Sequence, residues 1–410
     1  MKHKKKMKEK INLDMFNKVI KFPALKIPAK TCAEALNKFG KKDFEMSIKR
    51  VFDTDDKDKK LLLLHPKYFV DSKIGLPDYV KKFISAHKEE EIELAEKEVE
   101  VSYRETHIDD MLKQILPSEM HTQLPGAFES VGHIAHLNLS EMYLPYKQEI
   151  AEIILCKHKG IKTVVNKVGG IDNVYRTFEM ELLAGEPNYI VRLYESRCWF
   201  EFDFRKVYWN SRLQMEHSRL IGMVEKDQVV CDMFAGVGPF AVPCARRKEA
   251  VVYANDLNPE SYHYLEHNRK LNKIPPERLR TFNLDAREFI RKIVREERVS
   301  FDVAIMNLPK SALEFLDVFV GLFEGFAEDV KLPKIHCYCF SRAEDLQADV
   351  KKRASQNLGF DLSQEEGVQV YKVRDVAPKK YMMCISFLLP RKVAFGVEDL
   401  NKKKRKIDQK

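Results

Sequence analysis

The chain has 410 residues, 44% of them apolar, and 71 Lys and Arg against 62 Asp and Glu, for a formal net charge of +9. That length predicts two or three domains with packed cores, and the positive balance points to a polyanionic partner. No apolar run is long enough to cross a bilayer, and the 8 cysteines form no CxxC and no Cys/His cluster of zinc spacing, so no membrane and no metal site are expected.

The start, Met1-Lys2-His3-Lys4-Lys5-Lys6, lacks the apolar stretch of a secretory signal, and the early Glu9 with lysines in place of arginines makes a poor mitochondrial presequence. Residues 1–100 read as an N-terminal domain ending in an acidic linker. Within it Leu61-Leu62-Leu63-Leu64 is expected to be a buried strand stopped by His65-Pro66. The acidic run Glu89 to Glu100 reads as a solvated helix or linker.

A middle α+β domain is expected over 101–205. Val131 to Leu139 alternates as a strand does, Ile150, Ile153 and Ile154 mark the apolar face of a helix, and Thr163-Val164-Val165-Asn166-Lys167-Val168 is strand-like before a Gly169-Gly170 turn. Tyr189 to Leu193 and Cys198 to Asp203 read as two further strands. From 206 to 395 helices and strands alternate in the βαβ pattern of a doubly wound, mostly parallel sheet, with final strands at 335–340, 368–373 and 382–389. The basic stretch 396–410 is expected to be a disordered tail.

The segment that carries most chemistry is Asp232-Met233-Phe234-Ala235-Gly236-Val237-Gly238-Pro239-Phe240, entered from the apolar run Gln228-Val229-Val230-Cys231. It reads as strand, glycine turn and helix start, with Gly236 and Gly238 allowing close backbone approach to a ligand. A second apolar run ends at Asp256-Leu257, where an acid at the second strand tip suits a ribose. Gly236 to Ala241 also satisfies the dinucleotide fingerprint, so a hydride-transfer enzyme is one reading. Three features favour S-adenosylmethionine instead. Asp232 precedes the glycines, a third run ends in Asn283-Leu284-Asp285-Ala286, and a fourth ends in Asn307-Leu308-Pro309. Lys310 stands where an Asn-Pro-Pro-aromatic motif would carry its ring, which argues against an exocyclic amine as methyl acceptor.

Two longer blocks, Arg176 to Glu186 and Val207 to His217, resemble the archaeal and eukaryotic tRNA (guanine-N1) methyltransferases, which modify the guanine just 3′ of the anticodon. The resemblance covers about 100–390 and implies a class I, Rossmann-like methyltransferase domain preceded by smaller α+β RNA-binding domains. It implies Glu216 as the base that removes the N1 proton, Arg176 as the donor to O6, and Asn307 at the guanine edge or the cofactor. It further implies His217, Asp232, Gly236, Gly238, Asp256, Leu257, Asp285, Ala286 and Asn307 around S-adenosylmethionine. Tyr208 or Trp209 could stack on an extruded base. His217 departs from the arginine of archaeal relatives. Each residue also has a plain reading. Glu216 could pair with Arg212 or Arg219, His217 could be a hydrogen-bonded half-buried histidine, and Trp209 could belong to the core. The expected partner is the anticodon loop and body of a tRNA, bound by a monomer in cytoplasm and nucleus, with the mitochondrial matrix a third open compartment. Two alternatives stay open: an aminocarboxypropyl transferase of the wybutosine pathway, and a catalytically silent tRNA-binding module.

Overall fold

The computed structural model describes residues 11–40, 44, 48–70, 73–169 and 179–396. Arg176 and the basic tail from 397 onward lie outside the described residues. The chain forms two compact units, one of Met1–Phe128, Leu137–Asn166 and Leu182–Glu186, the other of Glu129–His136, Lys167–Glu181 and Pro187–Lys410.

In the first unit a sheet of order β2-β3-β1-β6 joins β1 (Lys18–Pro28), β2 (Val51–Asp53), β3 (Lys59–Leu63) and β6 (Glu93–Val101). A short antiparallel pair, β4 (Phe69–Val70) and β5 (Lys73–Ile74), stands apart from it. Leu62 and Leu64 pack with Leu25, Ile27 and Phe39 of helix α1 (Cys32–Phe39) and Phe83 of α2 (Asp78–Ala86), while Leu63 packs with Phe22, Ala24 and Val101. Apolar cover on both faces explains an unbroken leucine run where a half-exposed strand would alternate. Helices α3 (Ile108–Ile115) and α4 (Lys147–Lys157) complete this unit, with Ile150, Ile153 and Ile154 buried as their spacing requires.

From Glu93 onward the acidic stretch is neither helix nor linker. It is β6, antiparallel to β1 with Lys21 opposite Glu98 and Lys26 opposite Glu93. Ala95, Val99 and Val101 turn inward at every second place, and the glutamates between them face water. Lysines answer that charge, with Lys21 paired to Glu96 and Lys59 to Glu93 at 3.0 Å. Charged side chains on an edge strand also discourage edge-to-edge association.

The chain continues through β7 (Glu129–Val131), β8 (Ile134–Leu137), β9 (Thr163–Val168) and β10 (Glu179–Gly185). The expected single strand 131–139 is broken at Gly132, whose φ of +55° turns β7 back on β8. The second unit then holds a hairpin of β11 (Ile190–Glu195) and β12 (Cys198–Asp203) and a seven-stranded sheet. Its strands are β13 (Val229–Asp232), β14 (Val251–Asn255), β15 (Leu279–Phe282), β16 (Val303–Met306), β17 (Lys334–Ser341), β18 (Gln369–Ala377) and β19 (Lys380–Leu388). The order is β15-β14-β13-β16-β17-β19-β18, parallel through β17 and antiparallel at β19 and β18. Helices α5 (Gln214–Met223), α6 (Ala241–Arg247), α7 (Pro259–Leu271), α8 (Ala286–Arg291) and α9 (Leu346–Leu358) belong to this unit. β16 is buried along its whole length, as a central parallel strand should be. Strand order reverses between β13 and β16, so a ligand crevice is expected at the carboxyl ends of those strands.

Candidate functional site

The crevice is there, as a cavity of about 550 Å³ in the second unit. Its walls come from four strand ends: Phe234, Ala235, Gly236 and Pro239 after β13, Asn255 to Asn258 after β14, Asp285 and Ala286 after β15, Asn307 and Leu308 after β16. Tyr208, Trp209, Asn210, Leu213 and His217 close one side, and Lys310, Ser311, Glu314 and Phe315 another.

Hydrogen bonds hold the glycine loop from below. Ala235 donates its amide to Asn255 O at 2.7 Å, and Gly236 donates to Asp256 Oδ2 at 2.8 Å. Asn255 is itself buried, and its side chain bonds both backbone groups of Leu284 and the carbonyl of Met233. It ties three strand ends together. The other carboxylate oxygen of Asp256 accepts from the Asn258 amide at 2.9 Å. Burial pushes the Asp256 carboxyl above its ordinary value, and these two amides oppose the push.

The two glycines do different work. Gly236 has φ +55° and open space where a Cβ would sit, on the cavity wall. Gly238 has φ +96°, and a Cβ there would stand 2.7 Å from Leu265 Cδ1 and Val242 Cγ2, so its reason is packing and not ligand contact.

The expected residues therefore divide. His217, Gly236, Asp256, Leu257, Asp285, Ala286 and Asn307 share the cavity wall. Asp232 ends β13 fully buried and off the cavity wall; burial drives its carboxyl up to about 8, with the Phe234 amide opposing the push. Glu216 is not on the cavity wall. Its carboxylate accepts from Arg219 Nε at 2.6 Å, from the Arg219 terminal nitrogen at 2.5 Å, and from Tyr338 Oη at 2.7 Å. His217, the next residue, is 2% exposed and bonds Glu195 Oε1 through Nδ1 at 2.6 Å. Trp209 lies on the wall yet packs into the core, stacked on Phe202 at 5.1 Å. Asp285 caps α8, accepting from the Arg287 amide at 2.8 Å.

An adenosine-bearing sulfonium fits this donor set. An acid at the second strand tip, an open glycine wall and an apolar slot of Leu257, Ala286, Leu308 and Phe315 suit a nucleoside. An unsatisfied Asn307 Oδ1 on the wall suits an N–H donor, and the buried Asp232 carboxyl behind the loop has no cationic partner of its own.

Comparison with known proteins agrees. Residues 192–349 match the TRM5/TYW2 methyltransferase domain, and residues 108–188 match the TYW2 N-terminal domain. A tRNA (guanine(37)-N(1))-methyltransferase of Batrachochytrium dendrobatidis is 41% identical over 98% of this chain and 92% of its own length. The chain belongs to the tRNA (guanine(37)-N(1))-methyltransferase family. Among solved structures of this family's fold, Trm5b from Pyrococcus abyssi superposes with a TM-score of 0.64 at 28% identity, over 90% of this chain and 99% of that one. Methanocaldococcus jannaschii Trm5, solved in complex with adenosine, gives a TM-score of 0.51 at 26% identity over 89% and 98%. The fold is that of a class I methyltransferase, as the strand order also requires.

Several residues of this site were not legible as such. Asn255 and Asn258 are short polar residues beside an acid; the value of the first comes from the strand ends it bridges, and that of the second from capping α7 and bonding the Lys206 carbonyl. Phe315 and Glu314 sit on a 3-10 segment, Ala312–Phe319, whose apolar residues look like ordinary core.

Proposed function

We propose that this protein transfers a methyl group from S-adenosylmethionine to N1 of guanine 37 of a tRNA, the reaction that names its relatives. The observation that carries this reading is the cavity at the β13–β16 reversal, lined by Gly236, Asp256, Asp285 and Asn307, in a chain of this family. Bound S-adenosylmethionine would supply an electrophilic methyl on a cationic sulfur. Asp256 and Gly236 would hold the ribose side, Leu257 and Ala286 the adenine, and Asp232 would answer the positive charge. His217 would add to that wall.

Guanine N1 carries a proton that must leave as the N1–methyl bond forms, and O6 gains negative charge meanwhile. Glu216 is the proposed proton acceptor, Arg176 the donor to O6, and Asn307 the residue that orients the base edge. Glu216 already accepts three hydrogen bonds. It therefore has about one lone-pair site left, or must loosen its pair with Arg219. Lysine runs near both ends support residence in cytoplasm and nucleus.

The test is nucleoside mass spectrometry on an unmodified tRNA bearing guanine at 37, after incubation with protein and S-adenosylmethionine. Appearance of 1-methylguanosine supports the reading, and its absence across about pH 7 to 9 overturns it. The match of residues 108–188 to the TYW2 N-terminal domain favours a second reading, aminocarboxypropyl transfer. That reaction leaves methylthioadenosine in place of S-adenosylhomocysteine, and the same incubation tells them apart.

A further inference from the structure

The β11–β12 hairpin has two unlike faces. Its inner face carries Val191, Phe200 and Phe202 into the core, and Glu195 to His217. Its outer face carries Ile190, Tyr194 and Trp199, which are 43%, 57% and 43% exposed. Tyr194 stands opposite Trp199 in the antiparallel register, with ring centroids 5.0 Å apart. The Arg192 guanidinium lies 5.0 Å over the Trp199 ring.

Further cations surround this face. Arg197 is exposed on the turn, held there by left-handed backbone at Ser196 (φ +50°) and Arg197 (φ +62°), the two-residue turn that suits strand twist. Asn272 at the end of α7 bonds both backbone groups of Trp199, and its own carbonyl accepts from the exposed Arg246 at 2.8 Å. Exposed Arg247 follows. Among the described residues Arg192, Arg197, Arg246 and Arg247 have no carboxylate partner, although exposed arginines elsewhere in this unit, such as Arg212 and Arg280, do.

One carboxylate shares the face, Glu201 opposite Arg192, and it pairs with His267 at 3.0 Å. Exposed rings set among guanidinium groups that outnumber it make a surface for single-stranded nucleic acid. Bases stack on the rings, and phosphates take the arginines. We propose that the outer face of this hairpin, centred on Tyr194, Trp199 and Arg192, binds an unpaired stretch of the substrate RNA away from the nucleotide that enters the cavity. This rests on the RNA-methylating function proposed above. The four free guanidinium groups favour a polyanion over a protein partner, for which the rings alone would serve equally well.

The test is anisotropy titration of a labelled full-length tRNA with the full chain, repeated at several salt concentrations. Tyr194→Ala and Trp199→Ala should each weaken binding by about tenfold, Trp199→Phe by less. The pair Arg192→Ala with Arg246→Ala should lower the slope of log K against log salt by about 1 to 2. Lys352→Ala, on the exposed side of α9, is the charge control and should lower it by less than 1. Each hairpin variant should melt as wild type does, which shows that it folds. RNA affinity and salt slope unchanged in every hairpin variant, with wild type binding and methylating tRNA, overturns the assignment and leaves the face to a protein. A wild type that neither binds nor methylates tRNA overturns the proposed function and this assignment with it.

Discussion

Tyr338 on β17 and Glu216 on α5 meet at 2.7 Å, the phenol donating to a carboxylate that Arg219 already grips from its own helix. Arg219 in turn lies 4.4 Å over the ring of Tyr371 on β18. Burial and the neighbouring negative charges hold the Tyr338 phenol well above its usual range, so it stays a donor at any working pH.

Substitution separates the two roles this carboxylate could have. If Glu216 takes the N1 proton, Glu216→Gln should lower kcat by roughly 100-fold while leaving S-adenosylmethionine affinity within about twofold. Tyr338→Phe should cost stability on the order of 1 kcal/mol and change kcat far less. Single-turnover rates with saturating tRNA, alongside thermal melts, make the comparison. Equal kcat in wild type and Glu216→Gln would reduce Glu216 to a structural ion pair with Arg219.

Asp232 gives a pH prediction with a definite sign. Burial raises its carboxyl from 3.8 to about 8, so between those values the folded protein holds a proton that the unfolded chain has released. Stability from this group is therefore present at low pH and lost as pH rises through about 8. Asp232→Asn should gain more melting temperature over wild type at pH 8.5 than at pH 5, and gain little below 3.8. The same substitution should weaken S-adenosylmethionine binding, measured by calorimetry, most strongly at the higher pH. Parallel pH profiles for the two proteins would show that Asp232 does not titrate in this range.

The difference between legible and illegible features follows from the kind of signal each residue sends. The glycine loop, the acid after the second strand and the run of strand ends announced the class I sheet, because backbone conformation and burial restrict those positions to few residue types. The acidic β6 misled because its glutamates outnumber the Ala95, Val99 and Val101 that fix its inward face. Asn268 and Asn272 were invisible: on a helix, two asparagines four apart look like solvent-facing polarity. The clamp on Glu216 was half visible. Arg219 lies one turn along the same helix, whereas Tyr338 comes from a strand 122 residues later.

Those asparagines serve the site. Asn268 is fully buried, accepts from the Glu201 amide on β12 at 2.8 Å and donates to Val237 O in the glycine loop at 3.0 Å. Asn268→Ala leaves both backbone groups buried and unpaired, at an expected cost of about 2 kcal/mol or more. Differential scanning calorimetry should show a clear drop in melting temperature. Because the loop loses its anchor to α7, S-adenosylmethionine affinity should fall with it. A variant as stable as wild type would mean that water replaces the amide.

Gly236 and Gly238 are two residues apart, and alanine at each should fail in a different way. At Gly238 a methyl would meet Leu265 and Val242 at 2.7 Å in a backbone of φ +96°. Overpacking and backbone strain together should cost about 2 to 4 kcal/mol, seen as a lower melting temperature. At Gly236 nothing lies within 4 Å of the added methyl and φ is +55°, so the fold should lose only about 1 kcal/mol. That methyl would instead occupy the cavity wall, where about tenfold weaker S-adenosylmethionine binding is expected, read by titration calorimetry at a temperature where both variants are folded. Unchanged affinity in Gly236→Ala would place the cofactor's contacts elsewhere on the wall, on the strand tips at Asp256, Asp285 and Asn307.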